Sequence, residues 1–151
     1  MSNNLIKCAT WNGTDDTLSK TMSDVFLLAL RVYVAWIFLK AGLLKLGDWG
    51  QTLELFQSEY QVPLLSPVLA AYLGTAGELI FPVLIIVGLA TRWAALGLFA
   101  VNAMAVISYP QLFEFECPAA INDHKYWGML IAALFVFGAG RLSLDYLLKR
   151  K

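Results

Sequence analysis

Two charged side chains are candidates for buried positions within stretches that are apolar enough to cross a lipid bilayer. Glu78 lies near the centre of residues 67–89, and Arg31 lies within residues 24–46. A carboxylate at mid-bilayer costs roughly 2.5–3.5 kcal/mol, so it requires a partner or a function. An arginine on an antiparallel neighbouring helix can reach such a carboxylate and fork onto it. We therefore predict an Arg31–Glu78 pair, which either fixes the helix register or forms part of a quinone or proton site.

Two further polar residues are candidates for the same intramembrane site. Arg141 either joins this pair or binds Asp145, which follows it four residues later on one helix face. Asn102 is the strongly polar residue inside its apolar segment. A hydrogen bond from its side chain across the bundle would contribute around 1 kcal/mol.

A second candidate site lies in the polar connection 111–124. The Cys117 thiolate and the His124 imidazole are ligands that copper and zinc accept, although their spacing matches no established metal motif. Cys117 equally suits a mixed disulfide with a partner protein in an oxidising compartment. Both a metal site and a partner contact therefore remain open for this loop.

The composition and the lengths of the apolar segments indicate an integral membrane protein. Of the 151 residues, 59% are hydrophobic and 15% are charged, against about 45–50% and 25% in soluble domains. A spanning helix needs about 20 apolar residues. The predicted architecture is an all-α, integral membrane four-helix bundle. Its segments are a flexible polar tail (1–23), spanning helices (24–46, 67–89, 93–109 and 125–148) and an interfacial segment (47–66).

The basic residues predict the orientation of this bundle. Four spans place the tail, the turn at 90–92 and the C-terminus on one side of the membrane. The basic residues on that side are Lys7, Lys20, Arg92, Lys149, Arg150 and Lys151. Because basic loops stay in the cytoplasm, we expect a multi-pass protein of the bacterial inner membrane with both termini cytoplasmic. Cys117 and His124 then face the periplasm, and Cys8 lies too far from Cys117 to pair with it.

Several short motifs, in their order and spacing, carry a family resemblance. They are Arg31, Gly42-Leu-Leu-Lys45-Leu, Gly77-Glu78, Gly88-Leu-Ala-Thr-Arg92 and Gly138-Ala-Gly140-Arg-Leu-Ser-Leu-Asp145. Over about residues 24–148 the chain resembles the DoxX family of small four-helix inner-membrane proteins. The resemblance implies a left-handed bundle and a connection with redox and metal-stress pathways. The outward loop and the polar tail look most similar to the HvfX-type branch, which accompanies maturation of copper-binding peptides.

Three functions follow as hypotheses. The first is an accessory inner-membrane protein in a redox or metal-homeostasis pathway, with copper-binding peptide maturation as the specific case. The second is a quinone-binding subunit of an oxidoreductase complex, and the third is a small transporter or scaffold that acts as an oligomer. The expected partners are the lipid bilayer and other membrane or periplasmic proteins of the pathway, and a homo-oligomer stays open. The zero formal net charge argues against nucleic acid as a partner. The sequence contains no flavin, nicotinamide or haem motif, and whether the protein is an enzyme stays open.

Overall fold

A computed structural model describes residues 16–114 and 119–149 of the chain. These residues form six α-helices and one 3-10 helix, and none of them is in a β-strand. The α-helices are α1 (Asp16–Gly47), α2 (Trp49–Ser58), α3 (Pro67–Val87), α4 (Thr91–Ser108), α5 (Ala119–Phe137) and α6 (Leu144–Lys149). The 3-10 helix, Pro110–Phe113, follows α4. The all-α prediction is confirmed.

Three of these helices are long and apolar enough to cross a membrane. Among the described residues they are 18–47 within α1, all of α3 and all of α4. α5 has 19 residues, but its first two turns contain the polar run Asn122–Lys125, and its mean hydropathy is lower than that of the other three helices. The helical membrane bundle is therefore confirmed, while the count of four spans stays a prediction.

Local signals explain the ends of the spanning helices. The Ser66 side chain caps α3 by accepting a hydrogen bond from the Leu69 backbone N–H at 3.4 Å, and Pro67 occupies the first turn. Gly88 ends α3 in the left-handed conformation, with φ of 69°. Because only Leu89 and Ala90 then separate Gly88 from α4, α3 and α4 run antiparallel as neighbours.

The core lies where α1, α3, α4 and α5 meet. Its fully buried members are aliphatic, aromatic or small, and many large apolar side chains point away from it. Outward-pointing leucines and aromatics suit a bundle whose solvent is lipid. The core residues include Val34, Ala35, Phe38, Ile85, Leu98, Ile131 and Leu134.

Two helix boundaries differ from the sequence predictions. α1 begins at Asp16 rather than at residue 24, so Asp24 is an internal residue of the helix. The fourth predicted helix, 125–148, is divided into α5 and α6. Gly138 and Gly140 have φ of 76° and 74°, a conformation that ends an α-helix and that glycine adopts without strain. The predicted tail up to residue 15 and Cys8 lie outside the described residues.

Candidate functional site: a buried lysine–glutamate pair

Glu78 forms an ion pair with Lys45. The Lys45 ammonium lies 2.7 and 2.6 Å from the two carboxylate oxygens, and the side chains are 18% and 12% exposed. The small residue Gly42 makes this contact possible, since a Cβ at Gly42 would lie 3.0 Å from the Glu78 Cβ. α1 and α3 therefore touch closely at Gly42, and Lys45 reaches the carboxylate from just under one helical turn further along α1.

The predicted Arg31–Glu78 pair is wrong, and the register of α1 against α3 explains why. Gly42 lies beside Glu78, whereas the Arg31 guanidinium lies beside Gly88 near the far end of α3. The eleven residues from Arg31 to Gly42 span roughly 16 Å of helix, which is too far for the arginine side chain. Arg31 instead donates to the Leu142 carbonyl oxygen at 2.5 Å.

Three cavities meet beside Lys45, and two of them also reach Glu78. An apolar cavity of about 300 Å³ lies between α2, α3 and α4, with Glu78 in its wall. An interior cavity of about 330 Å³ is bounded by α1, α3, α4 and α5 and also reaches Glu78. A third cavity of about 530 Å³ lies between α1 and α2 and has Glu54 and Glu59 in its wall. Lys45 and Tyr60 line all three cavities, so they form the junction.

Aromatic rings build one wall of this junction. Tyr60 packs against Phe56 with ring centroids 4.7 Å apart and against Tyr109 at 5.3 Å. The Gln61 backbone N–H donates to the Ser108 carbonyl at 2.7 Å and fixes the segment after α2 to the end of α4. Burial, followed by the negative charge of Glu78, raises the pKa of Tyr60. Tyr60 therefore stays a neutral O–H donor at physiological pH.

His124 is a further polar residue in the wall of the interior cavity, and Asn102 holds it in place. The Asn102 amide nitrogen donates to the His124 carbonyl at 3.0 Å, and its amide oxygen lies 2.9 Å from Nδ1 of His124. Because an amide oxygen can only accept, Nδ1 carries the hydrogen. Trp127 packs on His124 at 4.9 Å and on Phe38 at 5.8 Å. Asn102 thus joins α4 to α5, as a bond across the bundle requires.

Of the two predicted metal ligands, the structure describes His124. Cys117 lies outside the described residues. Within residues 16–114 and 119–149, no group of three or more His, Cys, Asp or Glu is placed to hold a metal ion. His124 lines the interior cavity with Lys45 and Glu78, so the structure places it with the ion pair.

Arg141 lies at the opposite end of the bundle from Glu78. Its backbone N–H and its Nε donate to the Asp24 carboxylate at 2.7 and 2.5 Å. Arg141 therefore neither joins Glu78 nor pairs with Asp145. Arg31 lies in the same region, buried to 1% exposure, and its Nε and Nη1 have no hydrogen-bond partner in the described part of the chain.

Asp145 connects the start of α6 to the turn between α3 and α4. Its carboxylate accepts from the backbone N–H groups of Ala90 and Thr91 at 2.7 and 2.9 Å, and its own N–H donates to the Gly88 carbonyl at 2.8 Å. Burial raises the pKa of Asp145, but the hydrogen bonds from Thr91 and Ala90 outweigh it, so the net shift is downward. Asp145 therefore supplies the helix cap that Ala90 cannot.

Sequence reasoning missed the roles of Lys45 and Tyr60. Lys45 was visible on the helical stripe that contains Arg31, Ala35, Phe38 and Gly42. Gly42 was the available signal, because the small residue marks the point of closest approach to α3. Tyr60 gave no comparable signal, since its place depends on how the segment after α2 folds back.

Apolar spanning helices around a buried ion pair define this chain as a small helical membrane protein. A family model named DoxX matches residues 26–110, and the chain belongs to the DoxX family. It is similar to an uncharacterized protein of Haemophilus influenzae, with 32% identity over 131 residues that cover 85% of this chain and 86% of the relative. No solved structure matches the chain.

Proposed function

We propose that this protein is an accessory membrane subunit of a redox pathway and that it binds the head group of a quinone beside Lys45 and Glu78. The observation that carries the proposal is the position of this ion pair. It lies at the junction of an apolar cavity with an interior cavity that has polar groups in its wall. A quinone combines the same two properties, because its head group carries polar carbonyl oxygens and its tail is apolar.

The chemical groups at the junction suit a quinone head group. The Lys45 ammonium has three donor hydrogens, and the Tyr60 hydroxyl is a neutral donor to a carbonyl oxygen. The Glu78 carboxylate can accept a proton, and Trp127 offers an aromatic face in the interior cavity. The volume of each cavity falls at the lower end of the roughly 300–1,000 Å³ typical of small-molecule sites. These residues would hold and orient the head group, while the quinone supplies the redox chemistry.

The apolar cavity offers a route for an isoprenoid tail. Its wall includes Leu65, Leu73 and Met104, which are all exposed on the outer surface of the bundle. Because that surface faces lipid, a tail can extend from the cavity into the bilayer between α3 and α4. A tail route of this kind supports a lipid-soluble ligand over a water-soluble one.

The proposed setting is the bacterial inner membrane, with α5 as a fourth span and both termini cytoplasmic. The basic residues Arg92 and Lys149 lie together at the end of the bundle opposite Glu54 and Glu59, which supports this orientation. The sequence contains no binding motif for flavin, nicotinamide or haem. We therefore assign the supply of electrons to a partner protein.

Titration of the purified protein with a short-chain ubiquinone analogue tests the proposal. Binding is followed by quenching of tryptophan fluorescence, since Trp127 lines the interior cavity. We expect saturable binding that Lys45→Met weakens at least tenfold. Lys40→Met is the matched control, because Lys40 is exposed on the same helix and should bind like the wild type. Equal dissociation constants for the two variants, or no saturable quenching, would refute the proposed quinone site.

A further inference from the structure

A second cavity lies at the other end of the bundle and is independent of the proposed quinone site. It has a volume of about 350 Å³ and lies between the start of α4, the end of α5 and α6. We call it the basic pocket, and the residues that define it are Arg92, Trp93, Gly138, Tyr146 and Lys149. We propose that the basic pocket binds the phosphate group of an anionic phospholipid.

The charges of the basic pocket favour an anion. Arg92 and Lys149 both line it. Arg92 uses Nη2 to donate to the Val136 carbonyl at 3.1 Å, and a guanidinium has five N–H donors in all. Asp145 also lines the pocket, but both its carboxylate oxygens accept backbone N–H groups at the start of α4. That carboxylate keeps its negative charge and attracts Lys149, but two cations against one anion leave the wall of the pocket with a net positive charge, which favours a phosphate.

The depth of the pocket points to a lipid. It lies where α3 ends at Val87 and α4 begins at Thr91, which is the level at which these two spanning helices leave the hydrocarbon. Trp93 in its wall is 75% exposed, and tryptophan is enriched at the membrane–water interface. Phe137 in its wall is also exposed, so acyl chains attached to the phosphate would meet apolar surface.

α6 supports the same assignment. None of its residues is buried, and Leu147 and Leu148 are exposed while Lys149 ends the helix. The sequence continues with Arg150 and Lys151. A short helix with exposed leucines and a lysine at its end, followed in the sequence by two more basic residues, is typical of a segment that lies on an anionic membrane surface.

Native mass spectrometry of the delipidated full-length protein tests the proposal. The probes are phosphatidylglycerol, phosphatidylcholine with the same acyl chains, and inorganic phosphate. We expect phosphatidylglycerol to bind at least tenfold more tightly than phosphatidylcholine, because only the first carries a net negative charge. Equal binding of the two lipids would overturn the proposal. Inorganic phosphate that competes as well as the lipid would reassign the pocket to free phosphate and would equally overturn it.

Variants then locate the bound lipid. Removing one cation should weaken phosphatidylglycerol binding about fivefold, so we expect this result for both Arg92→Gln and Lys149→Gln. Lys149→Gln is the safer variant, since Lys149 is exposed at the end of α6, whereas Arg92 also holds α5 through Val136. The matched control is Lys125→Gln, which removes an exposed lysine near the start of α5. Equal weakening by Lys125→Gln and Lys149→Gln would show non-specific attraction and refute the pocket.

Discussion

Breaking the lysine–glutamate pair from one side should destabilise the bundle more than removing both charges. Lys45→Met leaves the Glu78 carboxylate in a wall that is mostly apolar. Removal of one partner from a buried pair costs about 3–5 kcal/mol, whereas replacement of both partners by apolar residues is often neutral. Because Lys45 and Glu78 keep 18% and 12% exposure, we expect about 3 kcal/mol for Lys45→Met. The double variant Lys45→Met/Glu78→Leu should lose less than about 1 kcal/mol.

The assay is reversible unfolding in mixed micelles, in which the denaturing detergent is titrated and helix content is followed by circular dichroism. The two single variants and the double variant form a thermodynamic cycle, and Lys40→Met controls for loss of a lysine from α1. The cycle should give a coupling energy of at least about 2 kcal/mol between the two sites. Additive losses in the double variant would refute the reasoning, since they would mean that the pair is not an energetic unit.

Two further predictions concern the other end of the bundle. Gly88→Ala should cost about 2–4 kcal/mol, because φ is +69° and the new Cβ would overlap Nη1 of Arg31. Gly47→Ala meets no atom within 4 Å and should stay within about 0.5 kcal/mol of the wild type. Equal melting temperatures for the two variants would contradict the close contact at Gly88. The lowered pKa of Asp145 means that its contribution is present above about pH 4 and is lost as the pH falls through the folded-state pKa. The wild type should therefore be more stable than Asp145→Asn at pH 7, and this advantage should shrink between pH 5 and pH 3. An advantage that does not change with pH would show that the carboxylate charge is irrelevant.

The sequence predicted the class of fold because its strongest signals are local. Apolar segments of spanning length and the short turn before α4 each depend on a few neighbouring residues. The break between α5 and α6 was also encoded locally, in Gly138 and Gly140. It was missed because the apolar residues around these glycines continue the helical period.

The partners of the charged residues were not predictable in the same way. They depend on the register between helices, and a charge on α1 has candidate partners at many depths on α3. Once Gly42 is taken as the point of closest approach, the register follows, and it brings Lys45 to Glu78 and Arg31 to Gly88. The small residue therefore carried more information about pairing than the charges did.

The family motifs gather into two polar layers, and the layers differ in what surrounds them. Arg31 and Lys45 are separated by fourteen residues of one helix, or about 21 Å. Around Arg31, the carboxylate of Asp24 binds Arg141 and a second carboxylate caps α4, so the acidic groups of this layer hold the helix ends together. Around Lys45, the ion pair instead lines two cavities. A buried ion pair contributes little net stability, and its position beside open volume is the observation on which the proposed quinone site rests. The layer around Arg31 joins the helix ends, and through Asp145 it borders the proposed lipid pocket.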